Sequence, residues 1–229
     1  MIILFSGCDK IKGFNTRIKE VINKELDRYN RMAVICASDD YSKNDTLIDG
    51  TSDIMGIRNM FNSIKEFYLI DRRTSVDDMI NIIKKVDIIY LFGVNPLIQL
   101  DIIKRIDYKK LFKDKVLLGI SAGSMNLGKI GYYSKDDDYD KTFFYEGLGF
   151  TDITIDPHFD INNRKQVNEI IDSSYKYKII GLPNDSCIVI KDNEIYYINN
   201  YFVVEDCRIE ERKGDDLYEE HRNNRIRNK

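Results

Sequence analysis

Short apolar runs alternate with longer amphipathic segments through the first half of the chain, the pattern of strands whose sheet is covered by helices on both faces. The runs predict strands at Ile2–Phe5, Met32–Ala37, Glu66–Ile70, Asp87–Phe92 and Val116–Ile120. Between them the periodicity predicts helices at about 13–30, 53–64, 75–85 and 96–106. Thr74 and Ser75 precede Val76-Asp77-Asp78, a helix start with acidic residues in the first turn. Beyond residue 130 the texture changes. Lys135-Asp-Asp-Asp-Tyr-Asp140 reads as a polar loop, and shorter strands follow at about 143–149, 151–156, 177–181, 186–191, 194–199 and 201–205, interrupted by a helix at about 161–174. Asp192-Asn193, between two apolar runs, reads as a hairpin turn. The charged tail from Glu210 to Lys229 is expected to end as a frayed helix. No internal repeat or domain boundary emerges, so the expectation is one domain over 1–229, α/β, with a mostly parallel sheet.

Composition narrows the function classes. With 229 residues, 43% hydrophobic and 32% charged, the chain is long enough to bury a core without metals or disulfides. Its 35 basic residues are spread among 38 acidic ones for a net charge of −3, so a basic face for nucleic acid is not expected. Met1-Ile-Ile-Leu-Phe5 is too short for a signal peptide, and no apolar run approaches the roughly 20 residues of a membrane helix. Cys8, Cys36, Cys187 and Cys207 are widely spaced, which fits reduced thiols in a cytoplasmic protein. With only His158 and His221, a histidine-based metal site is not expected.

The chemistry is concentrated in Val116-Leu-Leu-Gly-Ile-Ser-Ala-Gly-Ser-Met125, where an apolar strand runs into Gly-x-Ser-x-Gly. Such a strand-to-helix turn lifts the serine above the sheet edge, beside backbone N–H groups that stabilise an oxyanion. Gly119 and Gly123 leave room for the corner, which makes Ser121 the candidate nucleophile. The pentapeptide spacing alone arises by chance in about one chain in ten of this length, so its strand context and its partners decide the reading. A serine hydroxyl needs a base. His158, in Asp156-Pro-His-Phe-Asp160 after an alternating apolar stretch, is the candidate, with Pro157 stopping the strand; His221 lies among charges in the tail. A carboxylate should orient the imidazole. Asp136, Asp137 and Asp138 lie between serine and histidine, Asp156 and Asp160 flank the histidine, and Asp185 follows Gly181-Leu-Pro-Asn184, so several candidates stay open. A second oxyanion donor is expected from Tyr90-Leu-Phe-Gly-Val-Asn-Pro96, where Gly93 permits the turn and Pro96 suits a first helical position.

These residues together resemble the dipeptidase E and cyanophycinase group of serine peptidases, whose fold is similar to that of class I glutamine amidotransferases. Gly119-Ile-Ser-Ala-Gly-Ser-Met125 resembles the family's nucleophile turn, Asp156-Pro-His-Phe159 its histidine turn, and Gly93-Val-Asn-Pro96 with Gln99-Leu100 its glycine turn. The interval of 37 residues from Ser121 to His158 also fits. The resemblance implies Ser121 as nucleophile and His158 as general base, and an oxyanion hole from the N–H of Ala122 with that of Gly93 or Val94. It implies an orienting acid at Asp136 or Asp137, or in the Gly-Leu-Pro segment, where this chain has Asn184 and Asp185 beside it. It also implies substrate contacts from Asn95 and Arg164, the latter with an acidic side chain. Val94 in place of a second glycine and Asn184 in place of an acid are departures from the family pattern.

The expected function is a serine peptidase acting on short peptides, with an aspartyl or acidic residue beside the scissile bond and no cofactor. A small peptide is the expected partner; nucleic acid and membrane are not, and a homodimer stays open. A catalytically silent ligand-binding domain of the same fold is the alternative. An esterase is less favoured because His158 comes too early for an α/β-hydrolase order. A glutamine amidotransferase would need a cysteine where Ser121 stands.

Overall fold

Alternation within the central strands, more than any single helix, builds this molecule. In a computed structural model of the chain, residues 1–9, 12–49, 60–135 and 139–214 are described. The first strands are β1 (Ile2–Phe5), β2 (Arg31–Ala37), β3 (Glu66–Ile70), β4 (Ile88–Val94) and β5 (Val116–Ile120). They are joined by α1 (Thr16–Leu26), α2 (Tyr41–Asp49), α3 (Val76–Lys85), α4 (Pro96–Ile103) and α5 (Tyr108–Phe112). The second half comprises α6 (Ala122–Leu127), β6 (Ile130–Tyr133), β7 (Phe143–Glu146), β8 (Ile155–Pro157), α7 (Arg164–Ser173) and β9 (Ile179–Leu182). It ends with β10 (Cys187–Lys191), β11 (Glu194–Ile198), β12 (Tyr201–Glu205) and β13 (Arg208–Arg212).

A seven-stranded sheet runs in the order β11-β10-β1-β5-β4-β2-β3. β1 to β5 are mutually parallel, and β10 and β11 add an antiparallel edge. Because successive side chains point to opposite faces, Leu4, Ala33, Ile35, Ile89, Leu91 and Leu117 enter one core, packed by Met79 and Ile83 of α3 and by Ile102 and Ile103 of α4. Ile3, Phe5, Met32, Val34, Ile88 and Leu118 enter the other, packed by Ile18, Ile22 and Leu26 of α1. At about 1.5–3 kcal/mol for each fully buried large aliphatic or aromatic side chain, these two layers hold the sheet. A four-stranded sheet, β13-β12-β9-β8, stands beside it over a third core of Tyr132, Phe159, Ile170, Ile179, Phe202 and Val204. β6 and β7 form a separate antiparallel pair.

The α/β architecture expected from the pattern is found, with differences in detail. α2 stands where no helix was expected: its only large aliphatics are Leu47 and Ile48, so periodicity is silent, and Asp40 starts it by accepting from the Lys43 N–H at 3.2 Å. Residues 53–59 of the expected helix at 53–64 lie outside the described residues. The tail's first residues, Glu210 to Arg212, end β13, and 215–229, where the helix was expected, lie outside the described residues. Asp192 and Asn193, at φ 54° and 63°, make the expected hairpin turn between β10 and β11.

Candidate active site

β5 is buried along its whole length between β1 and β4, and it delivers Ser121 at its carboxyl end. Ser121 adopts φ 53° and ψ −120°, the strained elbow expected of a Gly-x-Ser-x-Gly turn. Its N–H donates to Phe5 O at 3.1 Å and Ser6 O at 3.0 Å, and its carbonyl accepts from Ser124 N at 2.9 Å and Met125 N at 3.1 Å. The backbone is thereby tied on both sides of Ser121. The glycines around it are there for space. A Cβ on Gly123 would sit 1.9 Å from Leu91 O, and one on Gly119 would sit 2.6 Å from Ser124 N.

His158 follows β8 directly, at φ 57°. Its Nε2 is 2.9 Å from Ser121 Oγ, and its Nδ1 is 2.7 Å from Asn184 Oδ1. An amide oxygen can only accept, so this contact keeps the ring proton on Nδ1 and leaves the Nε2 lone pair facing the serine hydroxyl. That is the tautomer a general base needs. The main chain is held as well, because the His158 N–H donates to Ser6 Oγ at 2.7 Å while Ser6 Oγ donates to Leu182 O at 2.6 Å. Gly7 completes the arrangement: a Cβ there would lie 2.5 Å from both Asn184 Oδ1 and His158 Cε1.

Of the candidate orienting acids, Asp185 does not meet the imidazole. Asp185, at φ 61°, accepts from Asn15 N at 3.2 Å through its carboxylate, so it serves the start of α1, and its neighbour Asn184 meets the histidine. Asp136 and Asp137 lie outside the described residues. Ser6 and Gly7 escaped the sequence reading; their signal was a serine-glycine pair at the carboxyl end of a central strand.

The glycine turn lies where an oxyanion donor is wanted. The β4–β5 ladder stops at the Leu91–Gly119 pair, so Gly93 and Val94 run past it beside Ser121. A Cβ on Gly93 would come within 3.2 Å of Ser121 Cβ. Ala122 is the first residue of α6, and its N–H has no acceptor within the helix. Val94 holds φ 120°, a value suited to glycine, and the residue is 64% exposed. Beneath the turn, Gln99 is fully buried and donates through Nε2 to Phe92 O at 2.7 Å and Ile35 O at 2.8 Å. Asn126 Nδ2 donates to Gln99 Oε1 at 3.0 Å and to Pro96 O at 2.9 Å, and the Tyr145 hydroxyl donates to Asn126 Oδ1 at 3.0 Å. A satisfied buried network therefore joins α4, α6 and the glycine turn. Asn95 Oδ1 caps α4 by accepting from Leu97 N and Ile98 N. Arg164 is exposed on the first turn of α7.

Ser121 and His158 open onto a cleft of about 140 Å³ whose lining includes Val94, Pro96, Met125 and Tyr133. Pockets for drug-sized ligands span about 300–1,000 Å³, so this one suits a side chain or two. Among the described residues no cluster of histidine, cysteine and carboxylate side chains is arranged to hold a metal. Burial pushes the Cys8 thiol up to about 11 and that of Cys36 up to about 12, the opposite of an activated thiolate. No helix among the described residues is long and apolar enough to cross a membrane.

Residues 45–198 match the model of peptidase family S51, well over half of the chain. In structure the chain is similar to a peptidase from an acI-B1 Actinobacterium, with a TM-score of 0.67 and 12% identity over 94% of each chain. It is also similar to a candidate peptidase E protein from Listeria monocytogenes EGD-e, with a TM-score of 0.60 and 18% identity over 86% of this chain and 96% of that one. At those identities the likeness shows a shared fold. No curated protein matches the sequence. The family match, together with a serine at the elbow, gives the conclusion: the chain belongs to peptidase family S51 and is a serine-type peptidase.

Proposed function

We propose that this peptidase cleaves short peptides through an acyl-enzyme on Ser121, with an aspartyl or acidic residue beside the scissile bond. The observation that carries the reading is the continuous contact from Ser121 Oγ to His158 Nε2 and from His158 Nδ1 to Asn184 Oδ1. As Oγ attacks the carbonyl carbon, Nε2 takes the hydroxyl proton, and the imidazolium keeps its Nδ1–H on the asparagine oxygen. The carbonyl oxygen gathers negative charge and is met by the N–H of Ala122 and by that of Gly93 or Val94. Collapse of the tetrahedral intermediate passes the Nε2 proton to the leaving amine. Water then attacks the ester with His158 again as base, releasing the acid and restoring the serine.

The small cleft favours short substrates, and the exposed Arg164, on the helix that follows the His158 turn, is the cation we assign to an acidic substrate side chain. The amide nitrogen of Asn95 is the group left to meet substrate once its oxygen caps α4. Four unpaired cysteines support a cytoplasmic setting. The test is hydrolysis of Asp-X, Glu-X, β-Asp-X and neutral dipeptides beside the Ser121→Ala variant. Turnover of an aspartyl substrate that falls at least about 1,000-fold in the variant is expected. Equal turnover of neutral dipeptides would remove the acidic preference, and turnover undiminished in Ser121→Ala would remove the acyl-enzyme.

A further inference from the structure

His158 occupies a left-handed conformation on an exposed turn, and its ring must satisfy two partners at once. Two residues before it, the buried Asp156 carboxylate accepts from Gln166 Nε2 at 3.1 Å. Two residues after it, the Asp160 N–H donates to Gln166 Oε1 at 3.0 Å. One side-chain amide therefore grips both flanks of the histidine turn, using its donor on one side and its acceptor on the other. A carboxylate, an ammonium or an alkyl chain offers only one of those functions or neither. The grip is anchored. Gln166 lies in the first turn of α7, where its own N–H donates to the cap residue Asn163, and the same helix is fixed by Ile170, fully buried against Phe159 in the third core.

We propose that Gln166 is a positioning residue for the reaction: its amide fixes the His158 turn so that the imidazole faces Ser121 and Asn184 together. The inference rests on the catalytic reading of Ser121 and His158 given above. It also gives α7 a role, since the helix that presents Arg164 then sets the base as well. A loosened turn leaves the protein folded but lets the ring wander, and a displacement of about 1 Å at a reacting group costs about 100-fold in rate.

The test uses two variants of the full chain. Gln166→Met keeps side-chain length and loses both hydrogen bonds. The double substitution of Asp156→Asn with Gln166→Glu reverses donor and acceptor on the Asp156 side, and the new carboxylate still accepts the Asp160 N–H. The first readout is the rate of Ser121 phosphonylation by a fluorophosphonate, in which Oγ displaces fluoride from phosphorus and His158 takes the proton. The second is the imidazole ¹⁵N spectrum, simple in a chain with two histidines, which reports the Nδ1–H tautomer whether or not the serine reacts. We expect labelling about 10- to 100-fold slower in Gln166→Met, with a mixed tautomer at His158, and both restored to within about threefold in the double variant. Parental labelling and a parental spectrum in Gln166→Met would overturn the proposal. So would a double variant as defective as Gln166→Met, which also decides the matter if the single variant does not fold. A parent that shows the Nδ1–H tautomer yet does not label counts against the acyl-enzyme reading, while the spectra still judge the clamp.

Discussion

Asn184 meets His158 Nδ1, the position a carboxylate holds in the familiar serine, histidine and acid arrangement. An amide oxygen orients the imidazole and selects its tautomer, as an asparagine does in papain-like proteases, but it carries no charge to stabilise the imidazolium. A hydrogen bond to a charged group is worth roughly 1–1.5 kcal/mol more than a neutral one, and about 1.4 kcal/mol is a decade in rate. Asn184→Asp is therefore expected to raise the acylation rate about tenfold. It should also move the acidic limb of the pH–rate profile to higher pH, because a carboxylate beside Nδ1 favours the protonated ring. An unmoved limb would mean that position 184 does not govern the base. The sequence reading sought an acid here, named Asp185, and met Asn184 only as a departure. What distinguished the two lay in space: Asp185 turns to the Asn15 N–H, and the bare Gly7 leaves room for the asparagine.

At the scale of elements, the alternation of buried strands was legible almost to the residue. β1, β3, β5 and β12 begin and end where the apolar runs do; for β5, buried on both faces, little polar sequence confuses the reading, and at the sheet edge β3 is marked by its run Phe67-Tyr-Leu-Ile70. α2 was hidden by its polar composition, and β6 by its brevity after a glycine. β8 was expected to stop before Pro157 and instead includes it, which an edge strand of the second sheet tolerates. That short strand carries Asp156, whose burial holds its carboxyl up to about 7. In the unfolded chain an aspartate releases its proton near about 3.9. Between those values the folded state binds more protons than the unfolded one, so stability falls as pH rises from about 4 through about 7, by an order of magnitude of 4 kcal/mol. Asp156→Asn removes that slope. Its melting temperature should exceed the parent's at pH 8, with the gap closing towards pH 4; parallel curves would show that Asp156 does not titrate in this range.

The whole molecule explains how residues far apart in sequence meet. Ser121 ends a strand of the large sheet, His158 ends a strand of the small one, and Asn184 lies on the turn from β9 to β10, where the chain passes from the small sheet to the large. The seam between the sheets is stitched at the end of β1. Ser6 N donates to Ser186 O, Ser6 Oγ donates to Leu182 O, and Asp185 N donates to Gly7 O. The sequence singled out Ser121 and His158 by local motifs, since each motif is a turn shaped by its own residues. It could not place this stitching, which depends on two sheets meeting. We propose that the seam activates one serine, and peptide mapping after fluorophosphonate treatment of the parent, Ser121→Ala and His158→Ala proteins tests it. A single adduct on Ser121 in the parent, absent from Ser121→Ala and at least about 100-fold slower in His158→Ala, is the predicted result. An unlabelled parent, an adduct on another residue, or undiminished labelling without His158 would contradict it.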